Sequence, residues 1–290
     1  MRRPRRRPRK NRETNSADRV HLALVTRPEL ADTNRLFEAA CAQRDIAYVP
    51  VIPTEVAGAG LDTAPGPRLL YRAALDRAAQ LVEKLLFRPG TAALHDPHFL
   101  CDHQPILLRQ SGVPMPRAVY IPADRPARLA EQVDWLGGFP VVVKRPGEEG
   151  GRGVSRAGSQ PELERQVAAA GGAVMIEAFV PHDRSWRMTV LGDAIVAATA
   201  RAPAAADFRT NGPGSSELPL AAPPAGAAAI ATAAARALRL DFGGADILES
   251  PDGTLTLTEL NFPCYFADQS RLTGIDIAGA MIEFLAAKSG

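Results

Sequence analysis

Two acidic side chains and one amide stand out in the stretch FGGADILESPDGTLTLTELN at residues 242–261. Asp246 lies in a short apolar run, and Glu259 and Asn261 end a run that alternates Thr and Leu, as a strand with one buried face does. The turn residues 250–253 join the two runs, so a β-hairpin is predicted. Pairing of its strands lets Asp246 join Glu259 and Asn261, which share a face. Two carboxylates and an amide oxygen suit Mg²⁺, which keeps further coordination positions for phosphates. The alternative is a hairpin with solvent-exposed acids.

A glycine-rich segment is the second candidate for chemistry. The dense strand VVVK ends at Lys144, and RPGEEGGRG follows at residues 145–153. Its glycines allow close backbone approach, so that successive N–H groups can hold phosphate oxygens. A Walker A motif is excluded because its Lys follows the glycines, and a Rossmann fingerprint is excluded because the next helix begins too late. We interpret the segment as a β-hairpin that covers a nucleotide; a surface hairpin without a ligand is the alternative.

Length and composition limit the classes of protein. A chain of 290 residues can form two or three lobes. No apolar run approaches the roughly 18–20 residues of a membrane helix, and no apolar segment of a signal peptide follows the basic N-terminus. Cys41, Cys101 and Cys264 are odd in number and scattered, which predicts a reducing, cytoplasmic location without a disulfide framework.

The N-terminus carries a dense positive charge. Residues 1–12 contain seven Arg and one Lys, and the rest of the chain has 26 basic against 32 acidic residues. The first 17 residues are predicted to form a disordered basic tail. We favour a solvated extension; the alternative is an electrostatic handle for RNA or a ribosome, and nucleic acid is expected to bind only through this tail.

Two further segments have patterns of their own. Residues 68–86 have apolar side chains at helical spacing and predict an amphipathic helix. His95, His98, Cys101 and His103 lie within nine residues, but their spacing fits no zinc site and no second ligand cluster follows. A polar loop before a helix at 104–111 is the favoured interpretation.

Seven sequence pieces in order resemble the ATP-grasp superfamily, in particular its branch of ribosomal-protein glutamate ligases (the RimK type). The pieces, which extend over about residues 100–290, are VVVK (141–144), VMIEAFV (174–180), WRMTVLGDAIVAA (186–198), DFRTN (207–211), GGADIL (243–248), TELN (258–261) and TGIDIAGAMIEFL (273–285). The resemblance implies an α/β fold in which nucleotide lies between a central lobe at 99–174 and a C-terminal lobe at 175–290. An N-terminal α/β domain at 18–98 is expected to precede them.

The resemblance also implies ATP and two Mg²⁺ as cofactors, with Mn²⁺ able to substitute. Asp246, Glu259 and Asn261 are then the metal ligands. The expected nucleotide contacts are Lys144, Gly150, Gly151, Gly153, Glu177, Phe179, Val180 and Asp183. The expected catalytic cations are Arg209, Arg187 and Arg201, which balance the charge of the transferred phosphoryl group.

This sequence departs from the family pattern at three places. A phosphate-binding Lys expected near Cys101–His103 is missing, and His103 is a weak substitute. Ser185 stands where an acid contacts the ribose, so Asp183 is the candidate replacement. The segment after Asn261 is bulky and aromatic (FPCYF), which predicts a different amine substrate. Cys264 in that segment has no triad-like His, so a nucleophilic role is disfavoured.

The predicted function is an ATP-dependent carboxylate–amine ligase that forms an amide bond through an acyl phosphate. The substrate class is an amino acid or a peptide or protein carboxylate, with no membrane partner and with a homo-oligomer as the usual assembly of the resembled branch. Two alternatives stay open: a non-catalytic nucleotide-binding regulatory protein, favoured by the missing Lys, and a phosphotransferase that stops after phosphorylating its substrate.

Overall fold

The computed structural model of the chain describes residues 20–56, 67–99, 104–122, 128–145, 151–204, 207–210, 215–218 and 222–290. It divides into one unit of residues 1–93 and 285–290 and a second unit of residues 94–284. The strands in the described ranges are β1 (His21–Val25), β2 (Ala47–Val51), β3 (Leu69–Arg72), β4 (Ala92–Ala93), β5 (Ala118–Ile121), β6 (Val141–Lys144), β7 (Val154–Ala157), β8 (Val174–Ala178), β9 (Arg184–Leu191), β10 (Ala194–Ala202), β11 (Ser216–Glu217), β12 (Phe242–Glu249) and β13 (Leu255–Asn261). The helices there are α1 (Ala31–Gln43), α2 (Arg77–Leu86), α3 (Gln104–Gln110), α4 (Leu129–Leu136), α5 (Gln160–Ala170), α6 (Ala227–Ala237), α7 (Ala267–Thr273) and α8 (Ile277–Lys288). None of these helices is long and apolar enough to cross a bilayer.

The first unit contains a parallel sheet in the order β2-β1-β3-β4. Its inner strand β1 is a short apolar run in which Leu24 and Val25, on opposite faces, are both fully buried, as a strand covered on both faces requires. The unit begins with a β-α-β arrangement of β1, α1 and β2, in which the two strands are parallel.

The helix predicted at residues 68–86 was wrong in its first part. Leu69–Arg72 is strand β3, whose four residues are all buried and pair in parallel with β1. A short continuous apolar run fits a buried strand as well as a helix, and only the neighbouring strand decides between them. The helix α2 begins at Arg77, where the carboxylate of Asp76 accepts a hydrogen bond from Ala79 N at 3.1 Å and caps it.

The second unit contains two sheets, of which the first has the order β5-β8-β6-β7 with antiparallel pairs. The hairpin predicted around the glycine-rich segment is confirmed, since β6 pairs with β7 and Lys144 lies opposite Val154. One face of this sheet packs with residues of α4 and α5; its buried members include Val141, Val143 and Ile176. Because strand residues alternate in direction, Val142, Lys144, Met175 and Glu177 share the other face.

The second sheet of this unit has the order β11-β10-β9-β12-β13. Alanines on one side of α6 pack against β9, β12 and β13, and Ala227, Ala231 and Ala234 are fully buried. The predicted hairpin at 242–261 is confirmed as β12 and β13, at the edge of this sheet.

Candidate functional site

The hairpin β12–β13 brings its three polar side chains together. Asp246 and Glu259 are direct cross-strand partners. The amide nitrogen of Asn261 donates to Glu259 Oε1 at 2.9 Å and lies 3.3 Å from Asp246 Oδ2. The predicted convergence is confirmed, whereas the role of these residues as metal ligands stays a prediction.

A β-bulge at Thr258 decides which way Glu259 faces. Strict alternation would put Glu259 on the same face as Leu257, which is fully buried. The pairing shifts between Asp246 and Ile247, so that β13 has one extra residue there. After this shift Leu260 takes the buried face and Glu259 turns to the open face with Asp246. The hydroxyl of Thr258 donates to the carbonyl of Asp246 at 3.1 Å and holds the irregular step.

Strand β9 adds a cation to this acidic pair. Arg187 lies opposite Asp246 in the β9–β12 register. Its Nε and Nη2 atoms donate to the two oxygens of Asp246 at 2.5 and 2.8 Å, a bidentate pair. Gly244 makes room for it, because a Cβ there would lie 3.1 Å from both Arg187 Cδ and Cys264 Cβ. A side chain at residue 244 would therefore crowd Arg187 and Cys264, so Gly244 is part of the site.

The two carboxyl groups titrate as a coupled pair. Burial raises the pKa of Asp246 to about 7; the neighbouring Glu259 also raises it, and Arg187 opposes the shift. Glu259 is more exposed than Asp246, but the protein atoms around it still displace water and oppose its ionisation. Hydrogen bonds with Asp246 and Asn261 outweigh this desolvation, so the pKa of Glu259 falls below its ordinary value. The charge of Lys144 contributes in the same direction. A cation bound beside Asp246 would oppose this rise, because it stabilises the ionised carboxylate.

The donor set fits Mg²⁺ better than a transition metal. Within the described ranges, no three His, Cys, Asp or Glu side chains gather as a metal-binding group. Two carboxylates and an amide oxygen, completed by substrate oxygens, match a hard cation that keeps several positions open. The amide of Asn261 now turns its NH₂ toward both acids and must rotate to present its oxygen.

Lys144 belongs to a second charged cluster that centres on Glu177. The Nζ atom of Lys144 lies 2.6 Å from Glu177 Oε2, and Arg109 Nη2 lies 2.7 Å from Glu177 Oε1. The Glu177 side chain is only 3% exposed. Arg109 carries no motif of its own in the sequence; the available signal was the acid inside the apolar strand VMIEAFV, because a buried carboxylate requires cationic partners.

The loop at residues 207–210 contacts the end of the glycine-rich segment. Arg209 Nη1 donates to the carbonyl of Gly151 at 2.9 Å, and Arg209 Nη2 donates to Asp207 Oδ2 at 2.7 Å. Asp207 also accepts a hydrogen bond from the backbone N–H of Arg209 at 2.9 Å. Asp207 therefore holds both the backbone and the guanidinium of Arg209. The carbonyl of Gly153 accepts a hydrogen bond from the backbone N–H of Arg145. Gly150 lies outside the described residues.

His182 links the end of strand β8 to the same loop. Its Nδ1 atom lies 2.7 Å from the carbonyl oxygen of Val180, and its Nε2 atom lies 2.8 Å from that of Phe208. The Phe179 ring packs 6.0 Å from Phe208 and 5.5 Å from the Arg156 guanidinium. The segment that is predicted to hold adenine is thus tied to the loop that carries Arg209. Nothing in the sequence singled out His182 for this connection.

We expect His182→Phe to loosen the loop without unfolding the protein. The variant loses both contacts to Val180 O and Phe208 O, and because a neutral imidazole donates from one ring nitrogen only, the loss is on the order of 1 kcal/mol. Urea denaturation measures the change in unfolding free energy, and limited proteolysis reports cleavage at 207–210. His98→Phe, at an exposed position, is the matched control. Equal proteolysis of the loop in the two variants would contradict the connecting role.

Arg201 and Asp183 form ion pairs with residues other than Asp246 and Glu259. Arg201 Nε donates to Glu217 Oε1 at 2.6 Å, where β10 pairs with β11. Asp183 lies 3.6 Å from Arg184, with 61% of its side chain exposed. Ser185, at the position that departs from the family pattern, donates instead to Thr210 Oγ1 at 2.7 Å. The roles predicted for Arg201 and Asp183 therefore remain predictions.

Cys264 is buried beside Arg187, and burial raises the pKa of its thiol to about 12. A thiol that stays protonated is a poor nucleophile, which agrees with the disfavoured nucleophilic role. Cys101 and His103 lie outside the described residues.

Comparison with known proteins decides the family. The sequence profile of the RimK-like ATP-grasp domain matches residues 102–285. The chain belongs to the RimK-like ATP-grasp family. Ribosomal protein bS6–L-glutamate ligase of Escherichia fergusonii is 32% identical over 184 residues, which are 62% of this chain and 60% of that protein. A probable alpha-L-glutamate ligase of Citrobacter koseri is 31% identical over the same shares of the two chains. The chain thus matches about three fifths of the length of these curated relatives.

Solved structures confirm the predicted ATP-grasp fold. The ATP-grasp ligase PsnB in complex with its minimal precursor superposes with a TM-score of 0.71 at 19% identity, over 93% of this chain and 99% of that one. D-alanine–D-alanine ligase from Bacillus anthracis gives a TM-score of 0.69 at 15% identity, over 93% of this chain and 97% of that one. At such low identity these structures are evidence for the fold alone.

Proposed function

We propose that this RimK-like ATP-grasp protein is an ATP-dependent carboxylate–amine ligase that releases ADP and phosphate. The observation that carries the proposal is the meeting of two oppositely charged groups in one site. Asp246 and Glu259 form the acidic side, and Arg187 forms the basic side through its bidentate pair with Asp246. A nucleotide with its cation needs this combination, because the metal neutralises the acids and a neighbouring cation balances the phosphate charge.

The proposed reaction has two steps. A substrate carboxylate oxygen attacks the γ-phosphorus of ATP, and the bond to the β,γ-bridging oxygen breaks to release ADP. The amine then attacks the acyl carbon, phosphate leaves with the C–O bonding electrons, and the nitrogen loses a proton. Two Mg²⁺ held by Asp246, Glu259 and Asn261 would neutralise the phosphate oxygens and align them.

The cationic side chains have separate proposed tasks. Lys144 holds the α- and β-phosphates, while Arg209 and Arg187 balance the charge of the γ-phosphoryl group and the acyl phosphate. Arg201 would share that task only after it leaves Glu217. The contact between Arg209 and Gly151 supports joint movement of the two loops over the triphosphate, which would exclude water from the acyl phosphate.

The proposed nucleoside contacts lie along the end of β8. Phe179 and the backbone of Val180 would line the adenine, and Asp183 would contact the ribose. Gly150, Gly151 and Gly153 would approach the phosphates through their backbone.

For the substrate we propose an amino acid or a peptide or protein carboxylate, joined to an amine. The relative named as a ribosomal protein bS6–L-glutamate ligase favours the peptide or protein class. The aromatic segment after Asn261 supports an amine different from that of the relatives. The buried free thiols Cys41 and Cys264 support a reducing, cytoplasmic location.

The test measures ADP release with Mg²⁺-ATP against a panel of amino acids and short acidic peptides. Release that requires both a carboxylate and an amine, with an amide product in the mass spectrum, supports the ligase. A phosphorylated product without an amide would favour a phosphotransferase. Tight ATP binding without release from the panel or from added ribosomal proteins would favour the non-catalytic alternative.

Deletion of residues 1–16 tests the basic tail. We expect ADP release to change by less than about twofold, because a charged extension without apolar residues adds nothing to a packed site. RNA binding, measured by fluorescence anisotropy at two salt concentrations, reports the alternative role of the tail. A large loss of ADP release on deletion would make the tail part of the site.

A further inference from the structure

Arg109 on helix α3 reaches the predicted nucleotide site through a buried carboxylate. Its guanidinium donates to Glu177 Oε1 at 2.7 Å, to Pro116 O at 3.1 Å and to Pro105 O at 3.2 Å. Three acceptors fix it in one orientation. By contrast, Lys144 Nζ pairs with Glu177 Oε2 at 2.6 Å. Arg109 is therefore held by two backbone carbonyls in addition to Glu177, whereas the ion pair of Lys144 is with Glu177.

The charges around Glu177 determine whether Lys144 can leave it to bind phosphate. Glu177 is 3% exposed, so its negative charge requires a cation at all times. If Lys144 were its sole partner, phosphate binding would have to take Lys144 away from a buried acid. With Arg109 in place, the carboxylate keeps a hydrogen-bonded cation when Lys144 turns toward a phosphate.

The position of Lys144 makes this exchange feasible. Lys144 and Glu177 share the face of the first sheet that lies opposite its helix-packed core. The Lys144 side chain is 21% exposed, against 3% for Glu177, so a ligand can reach the ammonium although the acid beneath it is buried.

We infer that Arg109 is a positioning residue for nucleotide binding: it neutralises Glu177 and so leaves Lys144 free to bind phosphate. The inference rests on the proposed function, because it assumes that Lys144 binds nucleotide. It assigns Glu177 a structural ion pair with Arg109, in place of the adenine contact that the family resemblance implies.

The experiment is calorimetric titration of Mg²⁺-ATP into wild type, Arg109→Met, Glu177→Gln and the double variant. We expect Arg109→Met to weaken ATP binding at least about tenfold, because an unneutralised Glu177 then retains Lys144. Glu177→Gln removes the competing charge, so it should change affinity by less than about threefold. The double variant should return to within about threefold of wild type, since Arg109 has nothing left to neutralise.

Each other result has a defined meaning. Unchanged affinity in Arg109→Met overturns the inference, and so does a double variant as weak as Arg109→Met. A purely structural role would lower the melting temperature without this rescue. If Arg109→Met does not fold, the ATP affinities of Glu177→Gln and the double variant are compared. A much lower affinity in the double variant than in Glu177→Gln overturns the inference. Arg109→Lys should retain most of the affinity. Failure of wild type to bind ATP would instead remove the proposed function, and the inference with it.

Discussion

Glu259→Gln is expected to lower ADP release at least about a hundredfold while the fold stays intact. Glu259 is the exposed member of the acidic pair, and its carboxylate faces Asp246 across the hairpin. A glutamine retains the shape and the hydrogen bond with Asn261 but loses the charge that would bind a cation. The loss should be in Mg²⁺ affinity as well as in rate, so release is measured as a function of Mg²⁺ concentration.

Glu131→Gln is the matched control for this prediction. Glu131 makes an exposed ion pair with Arg128 on α4, and such pairs contribute little to stability. We expect wild-type release from the control and equal melting temperatures for both variants. Wild-type release from Glu259→Gln would exclude the metal-binding assignment of the hairpin.

Lys144→Met is expected to weaken ATP binding more than any other single change in the first sheet. Removing a cation that contacts phosphate costs about two orders of magnitude in affinity when the contact is partly desolvated. The fold should tolerate the change, because Arg109 still neutralises the buried Glu177. Calorimetric titration with Mg²⁺-ATP measures the affinity, and thermal unfolding tests the fold.

Lys84→Met serves as the control for Lys144→Met. Lys84 lies in the last turn of α2, in the other unit of the chain. Unchanged ATP affinity is expected there. If Lys144→Met bound ATP as tightly as this control, the phosphate-binding role of Lys144 would be wrong.

Much of the site could be predicted from local sequence. The turn residues at 250–253 and the alternation of Thr and Leu predict a hairpin, and the structure forms it as β12 and β13. The strand VVVK followed by glycines predicts a second hairpin, which is also present. Both predictions succeed because turn chemistry and side-chain period act over a few neighbouring residues.

Other features depend on which strand lies beside which. Leu69–Arg72 has a pattern that suits a helix, yet it is a strand because β1 offers it a parallel edge. Strict alternation along β13 would place Glu259 on the buried face with Leu257, but the bulge at Thr258 turns it to the open face. A pairing shift depends on the partner strand, so period alone does not reveal it.

The sequence by itself determined the types of group in the site and the family order of its pieces. The tertiary structure decided which charges meet. Arg109 is separated from Glu177 by 68 residues, and Arg187 from Asp246 by 59. Whether a cation neutralises a buried acid or faces a ligand depends on distances of a few ångströms, since ion-pair strength falls with separation and with exposure to water. Those distances are set by sheet register and helix packing, which only the folded chain has.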